Sequence, residues 1–100
     1  MRKKIIDIKE LSKKIISIKK QKNKKIALCH GAFDLLHPGH INHINQAKKI
    51  ADILIVSITS DDKILKGPGR PHFKQTHRMN SLASLENVDY VILSNQLSAV

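Results

Sequence analysis

Ile26-Ala27-Leu28-Cys29-His30-Gly31-Ala32-Phe33-Asp34-Leu35-Leu36-His37-Pro38-Gly39-His40 is the stretch that decides the fold. Its first part is a short apolar run that Gly31 ends, which reads as a strand over 26–30. Pro38 suits the first position of a helix, because its missing N–H is not needed there. Downstream, Ile41, Ile44, Ala47 and Ala51 give that helix a single apolar face. A strand that gives way to a helix in this manner opens a βα unit.

The unit repeats. Asp52 closes the connection, and Ile53-Leu54-Ile55-Val56-Ser57-Ile58-Thr59 reads as the clearest strand of the chain. It is apolar on both faces over its first half, as an interior parallel strand is. Residues 60–74 read as a loop broken by Gly67-Pro68-Gly69. A second helix is expected at about 75–86, turning Met79, Leu82, Ala83 and Leu85 inward, and a third strand from Val88 to Leu93. Strand–helix–strand–helix–strand implies parallel pairing by crossovers in an α/β, doubly wound, Rossmann-like sheet.

Upstream, residues 7–20 read as an amphipathic helix with Ile8, Leu11, Ile15 and Ile18 on one stripe and lysines over the rest. Asp7 is placed to cap its start, and Asn23 lies where the helix fails. The chain therefore divides into a basic N-terminal helix over 1–23 and an α/β domain over 24–100. The formal charge of +10 belongs to the first part. Residues 1–25 carry eleven Lys and Arg against Asp7 and Glu10, whereas the remainder carries seven basic and six acidic groups. Compositional bias explains such a leader as well as an acidic partner or an anionic surface does. It holds none of the motif, so its removal is expected to leave the site intact.

Composition bounds the rest. With only Phe33, Phe73 and Tyr90 as aromatics, the core must be aliphatic. Cys29 stands alone, which excludes an internal disulfide and fits a reducing, cytoplasmic compartment. No apolar run reaches the roughly 18 residues of a membrane span, and the Lys-interleaved N-terminus lacks the apolar region of a signal peptide.

The chemistry is concentrated in Gly31–His40, at the carboxyl end of the sheet where α/β folds bind ligands. Gly31 removes a side chain, which lets the backbone amides of Ala32 and Phe33 approach a phosphate. The helix that begins near Pro38 points its free N–H groups and its positive dipole end at the same place. His37 and His40 are three apart across the helix start, so both imidazoles can reach one anion, and Gly39 between them allows that anion to come close. His37, His40 and His43 also recur at every third residue. That spacing drifts around a helix, and no cysteine or carboxylate stands at a supporting distance, so a metal site is set aside. His30, His43, His72 and His77 receive no role.

The pattern Gly-x-Phe-Asp-x-x-His-x-Gly-His directly after a strand is matched at Gly31, Phe33, Asp34, His37, Gly39 and His40. It resembles the signature of the cytidylyltransferase-like nucleotidyltransferases. Ser60-Asp61-Asp62, Lys66-Gly67-Pro68-Gly69-Arg70-Pro71, His77-Arg78 and Glu86-Asn87-Val88-Asp89-Tyr90-Val91 follow in family order. The chain is most similar to the adenylyltransferase domain that acts on heptose 1-phosphate, and next to glycerol-3-phosphate cytidylyltransferase.

This resemblance implies transfer of a nucleoside monophosphate from a triphosphate to a sugar or polyol phosphate, with release of pyrophosphate. ATP is favoured over CTP by the Gly67–Pro71 segment. His37 and His40 would serve the α- and β-phosphates, and Lys66 would reach the triphosphate or acceptor phosphate, with Arg70 a weaker candidate. Arg78 would add a bidentate clamp. Mg²⁺ would accompany the triphosphate. Asp34 either fixes the turn or touches ligand, and Asp61 either contacts ribose or a metal or caps the loop.

Members of the family continue for two further strands and a Ser/Thr-rich turn that holds the nucleotide from the far side, and nothing like that turn occurs here. The sheet is accordingly expected to be incomplete at its C-terminal side. The first strand would then have an exposed edge, and association with another copy, a missing half or a fused sugar-kinase-like domain is implied. Two other readings stay open. One is a catalytically silent nucleotide-binding module; the other is a nucleic-acid-binding protein, which the basic leader suggests but no aromatic platform supports.

Overall fold

The computed structural model describes residues 3–31, 33, 38–61 and 74–94. Six elements follow in the order α1 (Ile8–Lys19), β1 (Ile26–Gly31), α2 (Pro38–Lys49), β2 (Ile53–Ile58), α3 (Gln75–Ala83) and β3 (Tyr90–Leu93). The strands form one parallel sheet in the order β1-β2-β3. Ile26 pairs with Ile53 and Gly31 with Ile58, while Ile55 pairs with Tyr90. The expected parallel α/β sheet with helical crossovers is the observed one.

Side-chain alternation divides the sheet into two apolar faces. Cys29, Leu54, Val56, Ile58 and Val91 lie on one face and pack with Ile44 of α2 and with Met79 and Leu82 of α3. Ile55, Tyr90 and Ile92 lie on the other and pack with Ile6 and with Leu11 of α1. Burying an aliphatic side chain of this size contributes about 1.5–3 kcal/mol, so both layers matter to stability. The basic N-terminal segment is thus built into the fold. Ile5 bridges Val91 in parallel fashion, with Ile6 N–H donating to the Val91 carbonyl and Val91 N–H donating to that of Lys4. The Lys4 ammonium also reaches the Leu85 carbonyl, 2.9 Å away.

Local signals explain the element ends. The Asp7 carboxylate accepts the Glu10 N–H at 2.8 Å, which caps α1. Asn23 takes a left-handed φ of 64° in the turn that follows, a conformation asparagine tolerates. Two boundaries differ from expectation. The second crossover helix stops at Ala83, because Ser84 turns the chain and donates its hydroxyl to the Ser81 carbonyl. The third strand begins at Tyr90, because the Asp89 side chain supplies the acceptor for Leu54 N–H that a strand carbonyl would otherwise give.

Candidate functional site

β1 ends at Gly31, and at Phe33 the backbone enters the left-handed region with φ of 50°. A non-glycine residue adopts this conformation at a cost of about 1 kcal/mol. The turn folds the ring back over the strand end. A Cβ built on Gly31 would lie 3.0 Å from Phe33 Cε2. The expected reason for glycine here was close approach by a ligand; in the structure the space above Gly31 belongs to the Phe33 ring. That ring is buried and meets the imidazole of His40 edge-on, with centroids 5.3 Å apart and planes at 71°. Phe33 therefore orients a histidine in the first turn of α2, beside the exposed Gly39. This helix start lies at the carboxyl end of the parallel sheet, where the dipole favours an anion.

The end of β2 is tied to this place. Thr59 N–H donates to the Gly31 carbonyl at 3.0 Å. The Thr59 carbonyl in turn accepts a bond from Arg78 Nη1 at 2.6 Å, and Arg78 Nη2 donates to Asp61 Oδ1, also at 2.6 Å. Asp61 N–H is held by the Gln75 side-chain carbonyl at 3.1 Å. Arg78 is 2% exposed. Its bidentate grip is on the chain's own carbonyl and carboxylate, where a clamp on ligand phosphate had been expected. Asp61 likewise spends one carboxylate oxygen on the arginine.

Of the other expected site residues, Ala32, His37, Lys66 and Arg70 lie outside the described residues, as does Asp34. Among the described residues no group of three or more His, Cys, Asp or Glu stands where it could hold a metal ion. None of the described helices is long and apolar enough to cross a membrane. Burial raises the Cys29 thiol above its ordinary value of 9.0, which keeps it protonated and inert at neutral pH.

Two features escaped the sequence. The burial of Arg78 had a usable signal, since Gln75, Arg78, Met79 and Leu82 share one helical face by their spacing. The contact of His30 Nδ1 with Ser57 Oγ at 3.1 Å had none short of the strand register, which sets the two residues side by side.

Comparison with known proteins agrees with this geometry. A family model described as Cytidylyltransferase-like matches residues 28–97. The Bifunctional protein HldE of Methylococcus capsulatus is 43% identical over 89 residues, which is 87% of this chain and 19% of that protein. The protein of the same name from Pasteurella multocida is 40% identical over 82 residues, 80% of this chain and 17% of its own length. The chain thus spans about a fifth of the length of the curated relatives it matches. A crystal structure of the lipopolysaccharide core biosynthesis protein from Thermoplasma volcanium GSS1 superposes with a TM-score of 0.64 at 32% identity. The match covers 69% of this chain and 57% of that one. With its parallel sheet, the Gly31–His40 motif of its sequence and a family match over most of its length, the chain belongs to the cytidylyltransferase-like family of nucleotidyltransferases.

Proposed function

We propose that the site binds a nucleoside triphosphate, ATP in preference to CTP, and transfers its nucleoside monophosphate to a sugar or polyol phosphate. A phosphate oxygen of the acceptor attacks the α-phosphorus in line. The bond to the β-phosphate oxygen breaks, and pyrophosphate leaves with the electron pair. The acceptor phosphate is already ionised near neutral pH, so no strong general base is needed. Positioning and stabilisation of charge carry the catalysis.

The observation that supports this most directly is the His40 imidazole, fixed edge-on against Phe33 in the first turn of α2. In this reading His40 and His37 donate hydrogen bonds to the α- and β-phosphates, and the backbone of Gly31, Ala32, Phe33 and Gly39 lines the approach. Lys66 and Arg70 neutralise triphosphate or acceptor phosphate. Asp61 keeps one carboxylate oxygen for a ribose hydroxyl. Mg²⁺ arrives as the counter-ion of the triphosphate and belongs to the substrate. The reading places the reaction in the cytoplasm, in line with the unpaired Cys29. In the relatives, whose name says bifunctional, the matched segment is a fifth of a longer chain. A fused or separate sugar-kinase-like domain, or a second copy, is the partner it suggests here.

Pyrophosphate release and nucleotide titration on the purified protein, with ATP and CTP and a panel of sugar and polyol phosphates, test the reading. His40→Ala and His37→Ala are each expected to lower turnover by on the order of a hundredfold, as loss of a donor aimed at developing charge does. Nucleotide binding with no turnover on any acceptor would reject transfer and leave a binding module. Equal losses of activity and thermal stability in the histidine variants would make those residues structural.

A further inference from the structure

We infer that Arg78 is a positioning residue of the proposed nucleotide site, acting through the Thr59 peptide on the Gly31 turn; the inference rests on the function proposed above. Arg78 belongs to α3, and its side chain is 1% exposed beneath the end of β2. Two of its donors diverge to two acceptors, the Thr59 carbonyl and Asp61 Oδ1, both at 2.6 Å. The Thr59 backbone is held on both sides, since the N–H of the same residue donates to the Gly31 carbonyl at 3.0 Å. The regular β1–β2 pairing ends at Gly31 and Ile58. The Thr59 bond is one step beyond it, at the point where Gly31 leads into Phe33 and His40. A rigid link therefore runs from α3 to the glycine that starts the phosphate-binding turn.

Stability alone does not account for an arginine here. Arg78 lies on the apolar face of α3 with Met79 and Leu82, and a hydrophobic residue there would bury as well. Replacing a buried ion pair with packed apolar side chains is commonly neutral or stabilising. A planar fork of donors does what an apolar residue cannot: it fixes the Thr59 carbonyl and the Asp61 carboxylate relative to each other. Lysine, with a point charge, cannot hold both acceptors in one geometry.

The test is amide hydrogen exchange and ATP titration on the isotopically labelled full chain. Arg78→Lys is expected to speed exchange at the Thr59 amide and to weaken ATP binding, each by on the order of tenfold, the effect of one net hydrogen bond. The Leu54 amide, held by Asp89 at the other end of β2, is expected to keep its rate. Unchanged exchange at Thr59 would overturn the inference, and so would faster exchange with ATP affinity unaltered. Should Arg78→Lys fail to fold, Asp61→Ala decides. Loss of one of the two anchors must raise Thr59 exchange in the same direction by a smaller factor, and a rate equal to that of the unmodified chain overturns the link. Absence of any ATP isotherm in the unmodified chain would remove the nucleotide reading and the site that Arg78 is said to serve. Thr59 exchange in Arg78→Lys would then show whether the local link stands without it.

Discussion

The ammonium of Lys48, in the last turn of α2, lies 2.8 Å from Asp89 Oδ2, and the same carboxylate oxygen accepts the Leu54 N–H at 2.8 Å. Lys48 also donates to the Asp52 carbonyl at 2.7 Å. One buried carboxylate thus joins the end of a helix, the start of β2 and the approach to β3. Removing one member of such a group leaves a buried charge without its counter-charge or a buried donor without its acceptor, which costs more than the net value of the pair. Lys48→Met is expected to lower stability by about 2–3 kcal/mol, and Asp89→Leu by more, since it also orphans the Leu54 N–H. Urea denaturation checks both. A change under about 0.5 kcal/mol, the range of surface substitutions, would show that the group contributes nothing beyond exposed polar contacts.

Gly31→Ala follows from the Phe33 ring. A methyl at 3.0 Å from Cε2 forces the ring to shift, and the ring is itself wedged against His40. Overpacking of this kind costs about 1–3 kcal/mol. The ring signals of His40 are expected to move with it, and nucleotide affinity to fall. His40 signals unaltered in a stable Gly31→Ala variant would mean that the ring does not set the imidazole.

The architecture was readable because its signals are local and redundant. The run Ile53–Ile58 and the spacing of Ile44 and Ala47 leave few alternatives to a buried strand and a covering helix. The carboxyl end of the sheet as the candidate site was read from Gly31, Pro38 and Gly39 together with His37 and His40. What escaped the reading depends on pairings distant in sequence. Arg78 is seventeen residues from Asp61, and no local pattern reveals the pairing of its guanidinium with that carboxylate. Phe33 is named by the motif, but its left-handed backbone and its contact with His40 are tertiary facts. The N-terminal segment misled through its charge. Most of its lysines face outward, and what ties it to the sheet is chiefly the few apolar residues between them, helped by Lys4 at the Leu85 carbonyl and Lys14 at the Tyr90 ring.

Cys29 gives a pH dependence with a definite sign. Burial raises its thiol above 9.0, so the folded state disfavours the thiolate relative to the unfolded chain. The resulting stability is complete below the unfolded thiol's range and is lost as pH rises through the raised folded value. The stability difference between the unmodified protein and Cys29→Ala is therefore expected to be constant below the ordinary thiol value of 9.0 and to shrink above it. Thiol-specific reagents should react slowly with native protein and quickly in denaturant. Fast labelling of native protein at neutral pH would contradict the burial.

Deletion of residues 1–22 is expected to unfold the sheet's second face, contrary to the dispensable role that charge and motif position imply. Ile6 and Leu11 are buried against Ile55, Tyr90 and Ile92. Losing two aliphatic side chains of this kind removes about 3–6 kcal/mol, a large part of the roughly 5–15 kcal/mol that holds a domain together. The backbone of Lys4 and Ile6 also satisfies Val91 on both sides. Without it β3 presents an open edge next to an uncovered apolar surface, which favours pairing with another chain. Lys14, 5.3 Å from the centre of the Tyr90 ring, is lost as well. Tyr90 is the only tyrosine and tryptophan is absent, so intrinsic emission reports this one contact surface. The truncated chain is expected to show altered tyrosine emission, a lowered or absent thermal transition and increased light scattering. A monomer over 23–100 that melts at the temperature of the longer chain would show that α1 merely rests on the sheet, and that the second apolar face is stable in water without it.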